Sequence, residues 1–215
     1  MSITTAAETG YRGVIDKICE LSWSSLDATE ITSIAWSYYY FSVQFRENLE
    51  IACNLYPDDI LLRQLATEEC NTDNLSPWPG VAEIGERLDH DVFMNRLLQL
   101  SPTTDPILQL ELEAIGHSYL QKVRVLDAQT RAMSIASFED GGLARVFAAV
   151  LKCRRWDSPL LQAFRHFLIK HIEFDSDSDD GHGALARHLR LDERIRPLWD
   201  AFYSLFVESV PRLRE

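Results

Sequence analysis

Between Ile31 and Ala52 the apolar side chains Ile34, Tyr38, Phe41, Phe45, Leu49 and Ala52 return every three or four positions. That interval matches the 3.6-residue turn of an α-helix and puts them on one buried face. Tyr38-Tyr39-Tyr40-Phe41 would suit a strand by propensity. The same interval holds on both sides of it, so the whole stretch is expected as helix.

The rest of the chain reads the same way. Pro57 is expected to open a second helix at its first position, with Asp58 and Asp59 suiting its positive end, and to carry it to about Cys70. Asn71-Thr72-Asp73-Asn74 and Pro77-Trp78-Pro79-Gly80 interrupt it with breaker chemistry. A third helix is expected from about Val81 to Leu100, with Val81, Ile84, Leu88, Val92 and Phe93 or Asn95 on successive turns. Asp105-Pro106 starts a fourth, extending toward Met133, with Ile107, Leu110, Ala114 and Tyr119 or Leu120 inward. Phe138-Glu139-Asp140-Gly141-Gly142 reads as a break before a short helix to Cys153. Asp157-Ser158-Pro159 caps a helix carrying Leu160, Phe164, Phe167, Leu168 and His171. The acidic stretch after Phe174 reads as a loop or distorted turn, and a last helix covers about Asp192 to Val210. With no repeat and no alternating strand pattern, the fold class is all-α: a helical bundle folded as one domain over residues 1–215.

Charge narrows the partners. Lys+Arg of 21 against Asp+Glu of 33 leaves a net charge of -12. Such a surface repels phosphate backbones and anionic bilayers, so neither nucleic acid nor membrane is expected as a partner. Met1 to Gly10 lacks a basic start and an apolar core, and nowhere do about 18 apolar residues run together. Cys19, Cys53, Cys70 and Cys153 form no CxxC pair and read as reduced thiols of a cytoplasmic protein.

One string is unusual. His171-Ile172-Glu173-Phe174-Asp175 leads through an acidic run, Ser176 to Asp180, into Gly181-His182-Gly183. Imidazole with carboxylate oxygen is the ligand pair that iron and manganese accept. His171 and Asp175 are four apart and share a helix face. His182 lies seven beyond Asp175, two turns on, and two turns of a straight helix rise about 10.8 Å, so the stretch between is expected to bulge or unwind to bring it inward. Asp179, three before His182, is the competing carboxylate.

Other segments must supply the remaining ligands. Glu68-Glu69 ends the second helix, Asp89-His90-Asp91 sits in the middle of the third with Glu86 a turn earlier, and Glu139 stands at the break. Each also has an ordinary reading. Glu68-Glu69 suits a solvated helix end, His90 an exposed ion pair, Glu139 an N-cap, and the acidic run a solvated loop or weak calcium site. His117, His166 and His188 have no carboxylate context and are given no chemical role, while Trp78, Trp156 and Trp199 are expected in helix contacts.

Ala66-Thr67-Glu68-Glu69, His90-Asp91-x-Phe93, Phe138-Glu139-Asp140-Gly141 and His171-Ile172-Glu173-x-Asp175 with Gly181-His182-Gly183 follow one another in order across residues 35 to 190. Together they resemble the haem-oxygenase-like diiron oxidases and oxygenases, and more loosely the wider TENA/THI-4 group of that fold. The resemblance implies a haem-oxygenase-like bundle with a metal set of Glu69, His90, Glu139, Asp175 and His182. Two spacings depart from the family: the Glu-to-His gap is long and holds Pro77 to Gly80, and the Asp-to-His gap exceeds three or four. Glu86 therefore stays open beside Glu69, and Asp179 beside Asp175.

What the resemblance implies is an oxidoreductase holding two ferrous ions, with manganese as the other candidate, that activates O2 on a small-molecule substrate. A homodimer is compatible with it. Two other readings keep the bundle: a metal-independent enzyme of TENA/THI-4 type, a thiamin-salvage-like hydrolase using Cys70 or Cys153, and a non-enzymatic helical binding protein. Haem is disfavoured, because carboxylates around His171 would oppose the anionic porphyrin.

Overall fold

α1 (Tyr11–Cys19) and a 3-10 turn (Trp23–Ser25) lead into α2 (Ala28–Leu55), the longest helix of the computed structural model. The structure describes residues 10–70, 77–101, 105–175, 182, 186, 188–189 and 192–215, the side chains of Asp140 and Asp175 excepted. Asp27 starts α2 with a reciprocal cap: its carboxylate accepts from the Glu30 N–H at 2.9 Å, and the Glu30 carboxylate accepts from the Asp27 N–H at 2.8 Å. Then follow α3 (Ile60–Glu68), α4 (His90–Gln99), α5 (Pro106–Arg124), α6 (Ala128–Ser137), a five-residue π-helical segment (Phe138–Gly142) and α7 (Leu143–Val150). α8 (Pro159–Asp175), a 3-10 turn (Glu193–Ile195), α9 (Arg196–Ser209) and a last 3-10 turn (Pro211–Arg214) complete the described chain. The fold is an all-α bundle, with one isolated β-bridge, Trp78 to Ala82, and no strand among the described residues.

α2 is the axis. It packs against α3, α4, α5, α6, α8 and α9, so it is buried on nearly every side rather than on one face. Ile31, Ile34, Tyr38, Phe41, Phe45, Leu49 and Ala52 are all buried. Its other faces carry buried polar groups that find partners: Asn48 Nδ2 donates to Ser134 Oγ at 3.0 Å, Ser37 Oγ to Ser209 Oγ at 2.9 Å, and the Tyr119 hydroxyl to Gln44. Buried polar groups cost little only when paired in this way. Phe41 stacks on Phe202 at 4.2 Å between ring centres and meets Phe138 edge-on at 5.1 Å, tying α2 to α9 and the π segment.

Several expected boundaries shift. The second helix starts at Ile60, not Pro57, because Asp59 is the cap: its Oδ1 accepts from the Leu62 N–H at 2.9 Å. The third helix begins only at His90. Residues 81–89 are held instead by local bonds, Ala82 to Trp78, Glu86 to Glu83, and Leu88 N–H to the Cys70 carbonyl. Ile84, expected inward, is therefore 84% exposed. The fourth helix stops at Arg124, since Asp127 caps a new one through the Thr130 N–H at 2.9 Å. Its buried stripe runs through Leu112, Gly116, Tyr119, Leu120 and Val123, leaving Ile107 and Leu110 exposed. The cause is Gly116, where an added Cβ would lie 2.1 Å from the Tyr40 ring; the bare backbone lets α2 and α5 close on that side. The stretch at Phe138 is not a break but a π turn joining α6 to α7. α1 lies outside the helices expected from sequence. The acidic stretch after Asp175 lies outside the described residues.

Among the described residues no helix is long and apolar enough to cross a membrane. The four cysteines are free thiols, Cys153 buried and the others half-buried. Trp199 is in the core as expected, its indole N–H donating to Ser137 Oγ at 3.0 Å. His188 does have a carboxylate partner, Asp59, contrary to the sequence reading.

Candidate metal centre

Glu69 follows directly on the last turn of α3, and its carboxylate turns inward to 5% exposure. His90, the first residue of α4, faces it: Nδ1 stands 2.6 Å from Glu69 Oε2. His182, 1% exposed, approaches from the stretch beyond α8, with Nδ1 2.8 Å from Glu69 Oε1 and 3.4 Å from Glu139 Oε2. The two oxygens of one carboxylate thus face two different imidazoles.

Glu139 reaches the cluster through backbone geometry. In the π segment the Leu143 N–H donates to the Phe138 carbonyl five residues back, one more than in an α-helix. The wider turn carries Glu139, which is 4% exposed. Gly142 makes it sterically feasible, since a Cβ there would sit 2.1 Å from the Ser137 carbonyl and 2.8 Å from the Trp199 ring.

A fifth side chain joins that the metal set implied by the resemblance leaves out. His171 of α8 is 6% exposed, its ring 4.8 Å from that of His90 between ring centres, among Phe147 and Phe167. Its i, i+4 spacing to Asp175 was the available signal. Glu86 does not come near: it accepts from Arg96 Nη1 at 2.7 Å and from the Glu83 N–H at 3.1 Å. The Asp175 side chain and Asp179 lie outside the described residues. Asp91 turns away to a fork with Arg46, so His90 is neither exposed nor paired with its flanking acids.

The electrostatics are those of charges forced together in the dry interior. Burial works to raise Glu69, but the imidazoles of His182 and His90 outweigh it and hold the carboxyl well below its usual range. Burial first, then the charge of Glu69, pushes Glu139 up. Burial opposes the imidazolium of His182, yet Glu69 and Glu139 prevail and hold its pKa well above the ordinary value. His171 is driven well below, by burial and then by His90, so its lone pair is available.

These donors fit a cation. Both Glu69 oxygens, His90 Nε2 and His171 Nδ1 are buried without a well-directed hydrogen bond, although short nitrogen-oxygen approaches surround Glu69. Carboxylate oxygens and imidazole nitrogens converging in the interior are donors that a metal ion can hold in place of protons. One donor atom each from Glu69, Glu139 and His182 lie within 4.8 Å of one another, so this buried Glu-Glu-His group could bind a metal.

Two cavities adjoin the cluster. The inner, of about 10 Å³, lies among Tyr38, Glu69, His90, Glu139 and His171. The outer, of about 310 Å³, shares Ser42, Phe45, Glu69 and His90 with it. Cys70 lines the outer one, but burial and the Asp89 carboxylate push its thiol up to about 12. A thiol so held is protonated at neutral pH and a poor nucleophile. Comparison with protein-family models, curated proteins and solved structures gives no match, so the chemistry of the site rests on these residues and their geometry.

Proposed function

We infer that the chain is a non-haem diiron oxidase or oxygenase acting on a small molecule. The observation that carries this reading is the burial of Glu69, His90, Glu139, His171 and His182 in one cluster, in which His90 Nε2 and His171 Nδ1 have no hydrogen-bond partner. The resemblance in residue order adds iron and O2 to what the ligand chemistry alone leaves open between iron and manganese. When bound, two ferrous ions supply the electrons that reduce O2.

The chain's own residues do the rest. Glu69, with one oxygen toward His90 and the other toward His182, would hold the cations together with those two imidazoles. His171, kept neutral, offers a lone pair without first losing a proton. His182, held well above its ordinary value by Glu69 and Glu139, would give up its proton on loading, and burial beside Glu69 shifts Glu139 upward as well. Phe41, Phe45 and Tyr38 wall the inner cavity and keep bulk water from it.

Cavities beside His90 weigh against a purely structural bundle, and the protonated Cys70 weighs against a thiol-dependent hydrolase. The test is an anaerobic ferrous titration followed by O2, repeated on His182→Ala. Binding of about two irons per chain, lost in the variant, supports the reading; iron-free protein, or equal binding in the variant, ends it.

A further inference from the structure

The outer cavity is where a substrate of this centre would sit, and its walls are asymmetric in charge. Phe45, Leu49 and Ala66 give it an apolar body, and about 310 Å³ suits one small molecule. Among the described residues lining it there is one guanidinium, Arg46, and its Nε–Nη2 edge is taken by Asp91. Its Nε donates to both oxygens of Asp91 at 3.1 and 3.2 Å, its Nη2 to Asp91 at 3.0 Å, and its Nη1 to Glu50 at 3.0 Å. A carboxylate entering this cavity would find that fork already occupied.

Asp89 is the opposite case. It stands at the N-cap of α4, yet its side chain makes no capping bond. Its Oδ1 accepts instead from the Cys70 thiol at 3.1 Å, a weak donor that leaves the carboxylate's remaining lone pairs for the cavity. Beside it His90, more than nine-tenths buried, holds an Nε2 with no hydrogen-bond partner and marks the inner end.

We propose that this cavity binds a small apolar amine, its ammonium on Asp89 and its body along Phe45, Leu49 and Ala66, and that carboxylate-headed molecules are rejected. The assignment deepens the metal-centre reading and rests on it for what the bound molecule is presented to. An ammonium on a part-buried carboxylate forms a charge-assisted bond, whereas an acid would meet Asp89 and Glu50 with like charge.

Calorimetric titration of the full chain with 2-phenylethylamine, 2-phenylethanol and 3-phenylpropionate compares one body with three heads. The amine should bind about tenfold or more tightly than the other two. Asp89→Asn should erase that preference and leave the alcohol's affinity unchanged, while Ala66→Phe, filling the cavity, should abolish binding of all three. Equal or tighter binding of the acid overturns the proposal without recourse to any variant. So does an amine preference that survives Asp89→Asn, or silence from all three ligands in protein that carries its metal. Metal content measured on the same samples separates the two readings: Asp89-dependent amine binding in protein that takes up no iron keeps the cavity assignment and removes the metal centre.

Discussion

Glu69 Oε1 stands 2.8 Å from His182 Nδ1 in the interior, although one follows α3 and the other lies beyond α8. The contact joins a carboxylate whose neighbours hold it ionised to an imidazole whose neighbours hold it charged. Without a cation, a proton is what keeps them together.

Glu69 and Glu86 are the two acids between which the sequence leaves the first ligand open, and they separate cleanly in experiment. Glu69→Gln should lower iron affinity by at least about 10–100-fold, the loss seen when even outer partners of a metal site are removed. Glu86→Gln weakens the pair with Arg96, away from the centre, and should leave iron content unchanged. Elemental analysis of both variants decides; equal iron in the two would sink the assignment of Glu69.

His171 distinguishes a ligand from a core histidine. Phe147 and Phe167 surround it, so His171→Phe should fold with a change within about 1–3 kcal/mol, the usual scale for a poorly fitted core substitution. The same protein should bind markedly less iron. A variant that keeps wild-type iron content would return His171 to a packing role.

The metal-free chain should show a characteristic dependence on pH. Glu69 has its folded pKa depressed below the ordinary 4.5, so its contribution is complete above that value and fades as pH falls toward the folded one. His182 is raised above the ordinary 6.5, so its contribution is complete below 6.5 and is lost as pH climbs through the folded value. Glu139, raised above 4.5, also makes stability fall as pH rises. Urea denaturation in chelator, from pH 6 to 9, should therefore reveal a decline that His182→Gln flattens; parallel slopes would contradict it.

Gly142→Ala should cost about 1–3 kcal/mol, because the added methyl meets the Ser137 carbonyl and the Trp199 ring. It should also reduce iron uptake, since relief of the clash displaces the turn that carries Glu139. Denaturation midpoints with matched metal analysis test both halves of the claim.

The fold was largely legible in the sequence, because an interval of three to four apolar residues from Ile31 to Ala52 admits little besides helix. The boundaries were less so. Capping by Asp59 and Asp127, and the late start at His90, depend on hydrogen bonds whose partners are fixed only in three dimensions. The same is true of Gly116, whose meaning is the nearness of Tyr40. For the site, residue order brought out Glu69, His90, Glu139 and His182 as candidates, and the structure brings those four together. His171 was noticed for its spacing and left out of the set, since periodicity alone does not separate a ligand from a core side chain.

The π turn at Phe138–Gly142 carries a final consequence. Each residue of an α-helix advances the chain by about 100°, so the surplus one fixes the phase between α6, which packs on α2, and α7, which packs on α8. Excising a single position there would yield a straighter and more regular rod. It would also swing either Glu139 out of reach of His182 or Val146 and Phe147 out of the core, so regular geometry and an intact centre are mutually exclusive in this stretch.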